Sequence, residues 1–176
     1  MILGLSTPTF TLVHVVLSLA GILSGLLVLV GMLAAKRRAG WTLLFLTTTI
    51  ATSVSGFFFP SDSFGAAHIA GVLSLVVLAV ALAARYVNRL AGASRWIYVI
   101  AALLALYLNV FVGIVQAFQK LAFLQTLAPT QSEPPFLYTQ LAVLAIFVVL
   151  GIVAMVRFRP EPPRPPSAMD IRRAGA

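Results

Sequence analysis

The chain has 176 residues, of which 61% are hydrophobic and only 9% are charged. A chain with so few charged and so many hydrophobic residues could not form the surface of a soluble domain. The composition therefore predicts an integral membrane protein. The formal net charge is +8, but basic residues in such a chain usually mark one side of the membrane and do not indicate nucleic-acid binding. The absence of cysteine excludes disulfides, thiolate metal sites and iron–sulfur clusters.

Five continuous apolar stretches have about the length that is needed to cross the hydrocarbon core of a bilayer. They cover residues 10–35, 41–59, 66–84, 96–118 and 136–156. Their hydrophobicity is continuous and does not alternate, which favours helices over the strands of an outer-membrane barrel. We therefore expect an all-α integral membrane protein, in which residues 1–158 form a bundle of five transmembrane helices.

The connections between the spans carry helix-breaking residues. Residues 60–65 contain proline, serine, aspartate and glycine and predict a turn. Residues 121–133 mix apolar and amide side chains and predict a short interfacial amphipathic helix that ends near Pro129. Pro134 and Pro135 suit the start of the fifth span. Residues 159–176 are rich in proline and arginine and predict a disordered tail.

The basic residues predict the orientation of the bundle. Every lysine and arginine except Lys120 lies in the loop after the first span, in the loop after the third span or around the C-terminal tail. Because cytoplasmic loops carry the excess of basic residues, we expect the N-terminus outside and the C-terminus in the cytoplasm. The predicted location is a bacterial inner (plasma) membrane, with the protein crossing it several times.

His14 and His68 are the two histidines of the chain, and each lies about one turn inside the outer end of its span. Ionisable residues within a membrane are costly and are therefore candidates for function. Ser18, Gly21 and Gly25 follow His14 on one stripe of small residues, which predicts close helix contact. We expect both imidazoles to face protein and to be potential neighbours.

Amide side chains extend this candidate site. Asn109 and Gln116 lie on one small-residue stripe of the fourth span, and Gln140 lies one turn into the fifth. Amides inside a membrane need hydrogen-bond partners, so these residues predict a polar pocket in the outer half of the bundle. The threonine-rich face of the second span needs no such pocket if its hydroxyls bond to their own helix backbone.

Several functions are compatible with this pocket. His14 and His68 could be the axial ligands of one b-type haem, or they could bind copper or zinc together with Asp62 or Glu133. The side chains of Asn109, Gln116 and Gln140 could bind a quinone or a lipid headgroup. A purely structural hydrogen-bonding role for the histidines is favoured over any single cofactor.

The sequence contains no catalytic motif that we can identify. We therefore expect a non-enzymatic accessory or binding subunit of a membrane assembly. Its partners would be the lipid bilayer and either another membrane protein or further copies of the chain, without nucleic acid.

Overall fold

A computed structural model describes residues 1–60 and 64–158, without the side chain of Ala66. Over this part the protein is all-helical. The helices are α1 (Thr7–Leu33), α2 (Ala39–Gly56), α3 (Ala66–Leu82), α4 (Ser94–Lys120), α5 (Ala122–Leu127) and α6 (Pro134–Arg157), and a π-helical turn, Ala83–Val87, extends α3. Residues 61–63 of the predicted turn, which include Asp62, and the predicted tail, 159–176, lie outside the described residues.

Local sequence signals explain where the long helices begin and end. At the start of α1 the Ser6 hydroxyl accepts a hydrogen bond from the Thr9 backbone N–H at 3.3 Å, and at the start of α6 two prolines occupy the first positions. Both are typical helix starts. After α1 the backbone of Ala35 adopts a φ of 54°, and the Lys36 N–H returns to the Gly31 carbonyl at 2.8 Å. This turn ends the helix and directs the chain into α2.

Four of the helices in the described part are long and apolar enough to cross a membrane: α1, α3 with its π-helical turn, α4 and α6. The protein is therefore a multi-pass helical membrane protein. The second predicted span, 41–59, forms a helix but is not among these four, because the threonines and serines of α2 lower its hydropathy. The short helix predicted within 121–133 is confirmed as α5, and it ends at Leu127, before Pro129.

The centre of the bundle is α4, which packs against α1, α3 and α6. Small residues on its inner face make this possible, since Ala102 and Ala105 are 3% and 0% exposed. Helix α2 packs mainly against α1 and also contacts α3. Helix α6 lies at the periphery and fully buries only Gln140 and Ala154. This arrangement places α1, α2 and α4 around one shared polar interface.

Candidate functional site

His14 is bonded to the end of α2. Its Nδ1 lies 2.8 Å from the Ser55 hydroxyl, and its ring packs edge-on against Phe59 with centroids 5.1 Å apart. The Ser55 hydroxyl also lies 3.0 Å from the Thr52 carbonyl. When it donates its one proton to that carbonyl, the imidazole donates to Ser55, and the lone pair of a neutral His14 is then on Nε2. Sequence reasoning did not single out Ser55, although its place one turn after Thr52 on a serine- and threonine-rich helix was a usable signal.

His68 is held within the start of α3. Its Nδ1 accepts the Gly65 backbone N–H at 3.3 Å, which caps the helix. The ring stacks on Phe64 and packs against Phe57, with centroids 5.1 and 5.7 Å apart. Since Nδ1 is the acceptor, a neutral His68 carries its proton on Nε2. Ligation of a metal through Nε2 requires that proton to move and the cap to break.

The two histidines lie at the same end of the bundle, because both contact residues 55–59 at the end of α2. Their partners are nevertheless different, and no hydrogen bond or ring contact joins the two imidazoles in the described part of the chain. Asp62, one of the two predicted oxygen ligands, lies outside the described residues. Glu133, the other, accepts hydrogen bonds from Thr130 and Ser132. Within residues 1–60 and 64–158, no group of three His, Cys, Asp or Glu side chains is arranged to hold a metal ion.

Asn109 occupies the interface between α1, α2 and α4. Its amide oxygen accepts a hydrogen bond from Ser18 at 3.2 Å. Gly21 allows this approach, since a Cβ added to it would lie 2.9 Å from the Asn109 Nδ2 and 3.0 Å from the Thr49 hydroxyl. One helical turn further along α1, a Cβ on Gly25 would lie 2.6 Å from Leu106. The close contact predicted for the small-residue stripe of α1 is confirmed.

Several polar atoms at this interface are buried without a hydrogen-bond partner. They are the hydroxyls of Thr49 and Thr52 and the Nδ2 of Asn109. Neighbouring threonines on the same helix behave differently, because Thr47 and Thr48 donate to the backbone one turn earlier at 2.8 and 2.6 Å. On the threonine-rich face of α2, Thr49 and Thr52 therefore do not bond to their own helix backbone, whereas Thr47 and Thr48 beside them do. Unpaired polar groups at this depth are costly.

The two glutamines of the predicted site lie apart from this interface. Gln140 is buried and donates to the Phe111 carbonyl at 3.3 Å, while its side-chain oxygen has no partner. Gln116 is exposed and donates to Gln119 at 3.4 Å, and Gln119 in turn donates to Gln131. The predicted pocket is thus divided between a buried interface containing Asn109, an α4–α6 contact containing Gln140 and an exposed amide chain containing Gln116.

A second polar region lies at the opposite, basic end of the bundle and was missed by sequence reasoning. A small cavity of about 10 Å³ is lined there by the loop between α1 and α2, by Thr42, by Arg85 and by Tyr98. Tyr98, like Tyr86, Trp41 and Trp96, lies near a span end in the sequence, which predicts an interfacial aromatic belt. The structure corrects this for Tyr98, which is 1% exposed, whereas the other three side chains are exposed.

An apolar groove of about 250 Å³ runs between α4 and α6. Leu144, Val148 and Ile152 form its α6 side and Leu103 and Tyr107 contribute from α4. Gly151 is also part of the groove, and such a small residue permits close approach of another helix backbone.

The comparisons with known proteins give no family assignment. No family model, no curated protein and no solved structure matches the chain.

Proposed function

We propose that this protein is a non-enzymatic accessory or binding subunit of a membrane assembly, with a polar binding site at the interface of α1, α2 and α4. The observation that carries the proposal is the group of buried, unpartnered atoms on Thr49, Thr52 and Asn109. The Thr49 hydroxyl and the Asn109 Nδ2 both lie near Gly21, and without partners they offer a donor and an acceptor to a guest molecule. From Thr52 the polar path continues outward to Ser55 and half-buried His14.

The charge pattern supports five spans with the N-terminus outside. Arg95 and Arg157 bind the Phe158 and Leu33 carbonyls, which gathers three loops or helix ends at one basic end of the bundle. Helix α2 has 18 residues, which at about 1.5 Å per residue is about 27 Å, and it packs against α1 and α3. We place the basic end in the cytoplasm of a bacterial cell and the histidines toward the outer surface.

The binding role is tested with two variants of the site and one control variant on the same helix as Thr49. Thr49→Val and Asn109→Ala remove polar atoms of the site, whereas Thr47→Val removes an exposed hydroxyl that bonds to its own backbone. Native mass spectrometry of the full chain, released gently from its membrane, measures the small molecules that it retains. We expect the Thr47 variant to retain the same bound mass as the wild type and the other two to lose it. Retention by all three variants, or none by the wild type, contradicts the binding role.

The accessory role requires a partner in the membrane, and we propose that a transmembrane helix of another subunit occupies the groove between α4 and α6. A photo-cross-linking amino acid at Ile152, inside the groove, is compared with one at Leu23, an exposed position on α1. The account predicts a discrete protein adduct from Ile152 alone. Lipid adducts from both positions would refute a partner in this groove, and an adduct of doubled mass would identify a second copy.

The second candidate function is a redox or metal-binding protein that uses His14 and His68. The observation in its favour is the 2.8 Å contact between His14 Nδ1 and the Ser55 hydroxyl. In the tautomer that donates to Ser55, the Nε2 lone pair is free, as in many metal-ligating histidines. A b-type haem would add a visible Soret band, and copper or zinc would appear in metal analysis. This candidate predicts that His14→Ala abolishes the band or the metal. Their absence from the supplemented wild type eliminates it.

A further inference from the structure

Lys36, Arg37, Arg38 and Arg85 converge at the basic end of the bundle, where they line the small cavity together with Thr42 and Tyr98. The first three belong to the loop between α1 and α2, and Arg85 comes from the π-helical turn after α3. Two separate segments of the chain therefore bring four basic residues to one opening.

The buried wall of the cavity has unused hydrogen-bonding atoms. The Tyr98 hydroxyl is buried without a hydrogen-bond partner, and Thr42 and Arg85 line the same cavity. The Nε of Arg85 is also buried without a partner, and the Thr42 hydroxyl is directed to the Arg38 carbonyl at 3.0 Å. Two residues that line the cavity thus carry an unpaired donor each, the phenolic hydroxyl of Tyr98 and the guanidinium Nε of Arg85.

Aromatic and glycine contacts hold the cationic groups in place. The Arg85 guanidinium lies 5.4 and 5.5 Å from the ring centroids of Tyr98 and Tyr86, at distances typical of cation–π attraction. The side chain of Arg38 lies along α1 at Gly31, where an added Cβ would come within 3.2 Å of it. Packing contacts therefore position the side chains of Arg85 and Arg38.

The charges at this opening are not neutralised by protein in the described part of the chain. Glu133 is the one carboxylate side chain within residues 1–60 and 64–158. It lies before the start of α6, at the other end of that helix from Arg157. No carboxylate side chain of the described residues therefore balances these basic residues, so the opening favours an anion from outside the bundle.

We propose that this cavity binds the phosphate group of an anionic membrane lipid. A volume of about 10 Å³ admits about one water-sized atom, so one phosphate oxygen enters and accepts hydrogen bonds from Tyr98 and Arg85. The other oxygens remain at the mouth with Lys36, Arg37 and Arg38. A basic opening at the cytoplasmic ends of membrane helices is where lipid phosphates lie.

The test separates a built site from diffuse attraction to a basic surface. Arg85→Gln and Arg89→Gln each remove one positive charge from the stretch between α3 and α4. Of these two arginines, only Arg85 lines the cavity. Tyr98→Phe keeps the ring and the charge and removes only the hydroxyl. The full chain of each variant is placed in phosphatidylcholine nanodiscs with increasing phosphatidylglycerol, and the rise in unfolding temperature gives the apparent affinity.

We expect Tyr98→Phe to weaken phosphatidylglycerol binding roughly fivefold, as for the loss of one hydrogen bond. Arg85→Gln should weaken it by about tenfold or more, because its hydrogen bond is charged, and Arg89→Gln should weaken it less. Equal losses in the two arginine variants, with Tyr98→Phe unchanged, overturn the proposal.

Two further arms identify the source of the anion. Inorganic phosphate, titrated into phosphatidylcholine nanodiscs, shows the same dependence on Tyr98 if the site accepts a free phosphate as well as a lipid. Glu161→Gln combined with Asp170→Asn removes the carboxylates that follow residue 158. If phosphatidylglycerol binds only to that double variant, the chain's own carboxylates occupy the cavity and the proposal is wrong.

Discussion

Replacing Gly25 by alanine tests the close packing of α1 against α2 and α4. The added Cβ would lie 2.6 Å from the Leu106 Cδ1 and 2.9 Å from two ring atoms of Phe45. Ordinary carbon–carbon contacts are about 3.5–4.0 Å, so both neighbours must move by roughly 1 Å. Since Leu106 and Phe45 are each 1% exposed, neither has free space into which it can rotate.

The expected magnitude follows from comparison with a second helical glycine. Overpacking of this kind costs about 1–3 kcal/mol, whereas alanine in a helix interior is favoured over glycine by about 1 kcal/mol. Gly113→Ala provides the control, because its Cβ would make only an ordinary contact of 3.5 Å with Ile22. Both variants share the gain in helix propensity, so their difference isolates the clash. We expect Gly25→Ala to be less stable than Gly113→Ala by about 1–3 kcal/mol.

The assay is reversible unfolding in mixed micelles by titration with sodium dodecyl sulfate, followed by circular dichroism. Adding Leu106→Ala to Gly25→Ala should recover part of the lost stability, because it removes the nearest clashing atom. Equal unfolding midpoints for the Gly25 and Gly113 variants would refute the packing of α1 against α2 and α4.

Two further predictions concern single polar groups. Asn109→Ala should lower the free energy of unfolding by less than about 2 kcal/mol, since a hydrogen bond between membrane helices is worth about 0.6 kcal/mol on average. The same titration measures this change. A larger loss would mean that Asn109 has partners beyond Ser18. Desolvation raises the pKa of Glu133, but hydrogen bonds from Thr130 and Ser132 outweigh it and hold the pKa below the ordinary value of 4.5. Because the pKa of Glu133 is lower in the folded state than in the unfolded state, its ionised form stabilises the fold at pH values above the unfolded-state pKa. This stability is lost as the pH falls through the folded-state pKa. Thermal unfolding of the wild type should therefore weaken below about pH 4.5 more than that of Glu133→Gln, and parallel pH profiles would contradict this role.

The bundle was largely predictable because its signals are local. Continuous hydrophobicity and proline or glycine at the helix ends placed most boundaries within a few residues, and the spacing of Ser18, Gly21 and Gly25 predicted the face of α1 that packs. Helix α2 was harder, because its threonines reduce the apolar signal that defines a span. The membrane spans were therefore clearest in the helices whose mean hydropathy is highest.

The site was less predictable because it depends on contacts between distant residues. Equal depth along the chain indicated that His14 and His68 could meet, but depth does not fix rotation about a helix axis, and the two rings have different partners. Tyr98 shows the same limit, since its position near a span end is typical of an interfacial aromatic residue. Only the packing of α4 against its neighbours turns it inward beside Arg85.

Cysteine labelling tests the five-span orientation most directly, because the chain contains no cysteine of its own. Ser63→Cys, Ala91→Cys and Gln131→Cys are expressed singly in intact cells and exposed to a maleimide that does not cross membranes. The account predicts that the variants at Ser63 and Gln131 react at once and that the variant at Ala91 reacts only after the cells are opened. Protection of the Ser63 variant would show that α2 does not cross the membrane, and immediate labelling of the Ala91 variant would contradict the orientation that places the histidines outside.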